Sequence, residues 1–143
     1  MRILTVALTL LFLVSFMSAQ DFEYGNPSEL KGLKRAFIDV GPDVKNFNRI
    51  KDEIDGAKLP GFEIVSDVDV SDFVILFRGD KGVEITGDNS YRRDTGKGYV
   101  GIRSRDIVLI SFDEMQDKLF EKKPAIKFTR EFIKAYKKAN GLK

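Results

Sequence analysis

The sequence predicts an α/β (α+β) fold: a mixed β-sheet of five to six strands with two helices packed on it, in the order β-α-β-β-β-β-β-α. Three observations carry this. Phe47, Ile50 and Ile54, and later Phe128, Phe132 and Tyr136, recur at helical spacing. Two short apolar runs, residues 72–78 and 107–112, have strand length and are apolar enough to be covered on both faces. Glycine and proline punctuate the intervals between these segments.

The chain opens with one cation, Arg2, then an uncharged, mostly apolar run to Met17, then Ser18 and Ala19. That is the order of a secretory signal, and the run is short for a spanning helix. Residues 1–19 therefore read as a signal peptide, residues 20–32 as an amino-terminal arm and residues 33–143 as a single domain. Gly25, Asn26 and Pro27 are expected to keep the arm out of any regular element. The proline of Asn26-Pro27-Ser28 also blocks glycosylation of that triplet. There is no cysteine, hence no disulfide and no thiol for lipid attachment at the cleavage site. The ten phenylalanines after residue 19 must supply the core instead. Together these features predict an exported protein, periplasmic or extracellular, of a bacterial envelope.

The elements follow in order. Residues 33–40 are rich in β-branched and aromatic side chains and read as a strand. Gly41-Pro42-Asp43 suits a helix start, and Gly56 a helix stop. Leu59-Pro60-Gly61 turns the chain into a strand at 62–65, and 66–71 reads as a connection. The apolar run at 72–78 is the central strand. Six of the twelve glycines lie between 79 and 101. Val83 and Ile85 alternate with Glu84 and Thr86, and residues 99–103 are again apolar. This predicts a hairpin with a long polar loop at 87–97. Residues 107–112 form another inner strand, and Pro124 opens a helix ended by Asn140-Gly141.

The stretch from Glu29 to Leu76 carries a resemblance. A Leu-Lys-Arg-Ala-Phe-Ile-Asp-Val-Gly strand (33–41) is followed by an amphipathic helix, then Gly-Phe-Glu-Ile-Val (61–65), then Ser-Asp-Phe-Val-Ile-Leu (71–76). The pattern resembles the amino-terminal α/β domain of the Tol system's periplasmic propeller protein and small exported bacterial proteins. The resemblance implies a protein-interaction or assembly module and carries no catalytic motif.

Residue types exclude much chemistry. Without histidine or cysteine there is no Ser-His-Asp triad, Cys-His pair, ordinary zinc site or histidine-ligated haem. No cofactor is expected. Asp94-Thr95-Gly96 matches the aspartic-protease tripeptide, but Arg92, Arg93 and Lys97 beside it favour a permanently ionised carboxylate, so a loop-tip role is expected. Asp67, Asp69 and Asp72 begin like a calcium loop, yet Asp72 stands where glycine is required and Arg78 where glutamate is. The glycines around Lys81 and Lys97 lack phosphate-loop spacing and read as hairpin ends. Glu63, Glu84, Asp113 and Glu114 leave a small carboxylate hydrolase, or one using a serine such as Ser90, as the alternative function.

Charge is the remaining lead. Residues 122–143 hold eight Lys or Arg against one acid, Glu131, whereas residues 20–121 hold fifteen basic and twenty-one acidic residues. The expected function is a non-enzymatic binding or envelope-assembly module. Its partner is a protein or an anionic surface, not nucleic acid, and it meets the membrane only through the signal peptide during export. The candidate binding residues are Tyr91, Arg92 and Arg93 on the polar loop, and Lys127, Arg130, Lys134 and Lys138 on the outer face of the last helix.

Overall fold

The structure, a computed structural model, describes residues 23–86, 89–115 and 123–143, with only the backbone described at 80–86, 89–94 and 114–115. The order is β1 (Glu23–Tyr24), a 3-10 turn (Pro27–Leu30), β2 (Arg35–Asp39), α1 (Val44–Ala57), β3 (Glu63–Val65), a 3-10 turn (Val68–Val70), β4 (Phe73–Thr86), β5 (Asn89–Ile102), a 3-10 turn (Arg103–Arg105), β6 (Ile107–Met115) and α2 (Pro124–Asn140). The six strands form one mixed sheet in the order β1-β6-β5-β4-β2-β3. β2 is parallel to both β3 and β4, and β5 is antiparallel to β4 and β6. The predicted class, a mixed sheet with two helices on it, is the one observed.

Alternation along the strands sets the core. Phe73, Ile75 and Phe77 point to the helix side and are essentially inaccessible, where they join Ile50 and Ile54 of α1 and Phe128, Phe132 and Tyr136 of α2 in one cluster. Val74 and Leu76 point the other way and form a smaller cluster with Val108, flanked by Phe37, Val68 and Tyr99. The central strand is thus buried on both faces. Both helices belong to the same cluster, so they share one side of the sheet.

Four expectations are corrected. The segments read as strands at 72–78 and 83–86 are one strand, β4, and 89–97 is not a loop but the first half of β5. The ladder runs unbroken from Thr86↔Asn89 to Val74↔Gly101. Polar residues hide such a ribbon from a periodicity reading, because its backbone pairs whether or not one face is apolar. Consequently Asp94-Thr95-Gly96 lies within a strand, opposite Lys81, Asp80 and Gly79, and neither glycine-lysine segment is a hairpin end. The arm also forms regular structure. β1 pairs with β6, and Asn26 and Glu29 cap the 3-10 turn reciprocally. Finally, α1 runs through Gly56 and stops where Lys58 adopts the left-handed conformation, φ 49°.

Asp72 ties the first turn of the sheet together. Its carboxylate accepts from the backbone N–H groups of Lys34 (3.0 Å) and Arg35 (2.9 Å) and from the Arg35 guanidinium (3.0 Å). Partial burial pushes its pKa up, but these hydrogen bonds and the Arg35 charge outweigh that and hold it below the ordinary carboxylate value. A depressed folded-state pKa contributes stability above the unfolded-state value, and that stability is lost as pH falls through the folded-state value. Asp72→Asn is therefore expected to lose about 1 kcal/mol at neutral pH, the difference between charged and neutral acceptors. The gap between variant and wild type should close below the ordinary carboxylate range, as read from urea midpoints at several pH values.

Candidate functional site

The structure concentrates exposed charge on the outer side of α2. The helix buries Ala125, Phe128, Thr129, Phe132 and Tyr136 and turns the opposite stripe outward. Its ring partners fix its rotation: Phe128 stacks on Phe77 at 5.6 Å, and Phe132 lies 5.8 Å from Phe73. The Tyr136 hydroxyl donates to the carbonyl of Leu33 at 2.6 Å, and burial followed by the charge of Asp72 pushes its pKa up.

Of the α2 residues singled out from sequence, Arg130, Lys134 and Lys138 are exposed and Lys127 is half-buried. They differ in engagement. Arg130 donates through Nε to Glu53 of α1 at 3.0 Å and through Nη2 at 3.3 Å, a pair that keeps its guanidinium charged and joins the two helices. Lys134 and Lys138 form no ion pair among the described residues. Lys134 stands on a ridge between two depressions. One lies between the helices and is lined by Asp52, Glu53, Arg130 and Lys137 among others. The second, about 500 Å³, lies between α2 and the 3-10 turn at Pro27–Leu30. Lys31 on its far wall, which the sequence reading passed over, adds a third cation to Lys134 and Lys138.

The carboxy-terminal end of this surface is fixed by Asn140, read from sequence only as a helix terminator. Its amide nitrogen donates to the carbonyls of Tyr136 (2.9 Å) and Leu30 (3.4 Å), and its oxygen accepts from the N–H of Gly32 (2.9 Å). No single-residue signal marks such a bridge, since Leu30 and Gly32 lie more than a hundred positions away.

Tyr91, Arg92 and Arg93 lie in β5, opposite Glu84, Val83 and Gly82. Their side chains fall outside the described residues, and their half of β5 pairs with residues 82–84 of β4, whereas it is Gly96 and Gly98 of the other half that lie against α2.

Among the described side chains the hydrolase alternative finds no carboxyl pair; those of Glu84, Ser90 and Glu114 lie outside them. Glu63 is on β3 and Asp113 on β6, at positions four strand spacings apart, or about 19 Å, against the roughly 5–9 Å that paired carboxyl catalysis requires. Asp67 caps a 3-10 turn, Asp69 pairs with Arg103 at 2.5 Å, and Asp72 clamps β2, so the three acids are spent locally. No cluster of metal-ligating residues occurs among the described residues. Asp39 is buried against Arg78, which donates to its Oδ1 at 3.1 Å and to its backbone carbonyl at 3.0 Å. Its Oδ2 has no hydrogen-bond donor among the described residues. No helix among the described residues is long and apolar enough to cross a membrane.

No protein-family model matches the chain, and no curated protein matches it. Solved structures do. A minor lipoprotein from Acinetobacter baumannii is similar at 7% identity over 75% of this chain and 93% of that one, with a TM-score of 0.43. A PelC dodecamer from Paraburkholderia phytofirmans is similar at 9% identity over 87% and 96%, with a TM-score of 0.47. An uncharacterized lipoprotein B from Nitrosomonas europaea is similar at 13% identity over 84% and 85%, with a TM-score of 0.34. The Tol propeller domain is not among these structures. Likeness at this level carries no assignment of activity.

Proposed function

We propose that this chain is an exported, non-enzymatic binding or envelope-assembly module that docks a protein partner through the cationic outer face of α2. The observation that carries the reading is the pair Lys134 and Lys138, exposed and without an ion-pair partner among the described residues, while Arg130 beside them is engaged by Glu53. A charge with no internal partner adds little to stability and remains free to steer association. The signal-like residues 1–19 place the protein outside the cytoplasm in this reading, periplasmic or extracellular. Tyr91, Arg92 and Arg93 are a second proposed contact, because beyond residue 80 the β4–β5 ribbon pairs only with itself among the described residues.

Reversal of Lys127, Lys134 and Lys138 to Glu tests the reading. The triple variant should fold, since Lys134 and Lys138 are exposed and such charges are hydrated and screened, and any shift of the urea midpoint should come from the half-buried Lys127 alone. It should lose the partner that wild type captures from envelope extract, and added salt should weaken wild-type capture. Capture unchanged by the triple reversal at low salt would remove α2 from the interface.

A further inference from the structure

The depression between the 3-10 turn and α2 has the chemistry of a specific recognition groove, and we infer that it binds an acidic peptide segment of the protein partner. This rests on the binding-module reading and names the partner's chemistry. Lys31 rises from one wall, and Lys134 and Lys138 from the other. None of the three forms an ion pair among the described residues. Three uncompensated ammonium groups around one concavity select for negative charge. Part of the lining is small and apolar: Ala135 and Ala139, one helical turn apart on α2, and Pro27 of the turn. Small residues admit close approach of a chain, and apolar ones reward an aliphatic side chain placed between flanking carboxylates. Glu131 at one end adds a single negative charge, which disfavours a uniformly anionic occupant along the full length.

The walls are held before any ligand arrives. The turn is closed by the reciprocal cap of Asn26 and Glu29, and Glu29 is further paired with Arg105 at 2.9 Å. Leu30 at its end is fully buried, and Asn140 bridges the last turn of α2 to Leu30 and Gly32. Rigid walls spare a ligand the ordering cost of binding. A bilayer surface is flat, whereas Lys31, Lys134 and Lys138 line a depression that also includes Ala135 and Ala139; a protruding segment enters a concavity that a flat surface spans, so the shape favours a peptide over lipid headgroups.

The test uses the full chain, purified as its host processes it, and a random dodecapeptide library displayed on phage. Selected peptides should carry Asp or Glu on either side of an apolar residue. Their amide shift perturbations should map to Lys31, Lys134, Ala135, Lys138 and Ala139. The variant Lys31→Glu/Lys138→Glu should bind the selected peptides roughly tenfold or more weakly, and Lys45→Glu on α1 should leave binding unchanged. Vesicles of phosphatidylglycerol and phosphatidylcholine should neither bind comparably nor compete. Enrichment without acidic residues, shifts elsewhere, insensitivity to the Lys31 and Lys138 reversals, or vesicle binding in place of peptide binding would each overturn the inference. If Lys31→Glu leaves envelope capture intact while reversal of Lys127, Lys134 and Lys138 abolishes it, the groove is wrong and the docking face of α2 stands.

Discussion

Truncation of Phe73 to alanine is expected to destabilise the protein by about 3–5 kcal/mol, a large fraction of the stability of a domain this size. Phe73 has no accessible surface and lies where the sheet meets three other rings: Phe62 at 6.0 Å, Phe132 at 5.8 Å and Tyr136 at 6.4 Å. Removing it opens a cavity that the flanking strands cannot close, because β4 is pinned by β2 on one side and β5 on the other. Tyr24→Ala provides the reference: its side chain is 65% exposed, and its loss should change stability by less than about 0.5 kcal/mol. Urea midpoints of the two variants check this, and a change under about 1 kcal/mol for Phe73→Ala would place the ring outside the core.

Addition of one methyl group at Gly98 should be almost as damaging, at about 2–3 kcal/mol. A β-carbon there would stand 2.6–2.7 Å from three ring carbons of Phe128. The face of β5 under α2 is therefore bare by necessity, and the ring of Phe128 fills the space that a side chain would take. Gly96 is similar, with Phe77 and Pro124 above it. If the cause is this overlap, Phe128→Leu should relieve it. The double variant Gly98→Ala/Phe128→Leu should then lose less than the sum of the single losses. Strict additivity would point to backbone strain in β5 instead.

These two positions show what the sequence makes legible and what it hides. Phe73, Ile75, Phe128, Phe132 and Tyr136 announce themselves, because alternation and helical spacing are periodic and periodicity reports which face is buried. The class of fold follows directly. The glycines at 96 and 98 look like turn residues, since local sequence does not distinguish a glycine needed for a turn from one needed for close approach of a distant ring. The same limit misread the polar half of β5 as a loop. Its residues 89–94 carry no apolar face in the sequence, yet their backbone pairs along β4. Of the candidate surface, the cationic stripe of α2 was visible from charge and spacing alone. Lys31 beside α2 and the bridge from Asn140 to Leu30 and Gly32 were not, because both are set by the fold of an arm that sequence alone read as irregular.

The docking claim for α2 is tested most directly by photo-cross-linking in the native host. A benzophenone amino acid would be placed in turn at Lys134, at Lys138 and, as reference, at Lys45 and Lys51 on α1. Ultraviolet-dependent adducts of discrete size are expected at the two α2 positions and none at the α1 positions. The adducts should disappear when Lys127 and the remaining α2 lysine of the pair are reversed to Glu. Adducts absent at both Lys134 and Lys138, or equally strong at Lys45 and Lys51, would contradict that claim.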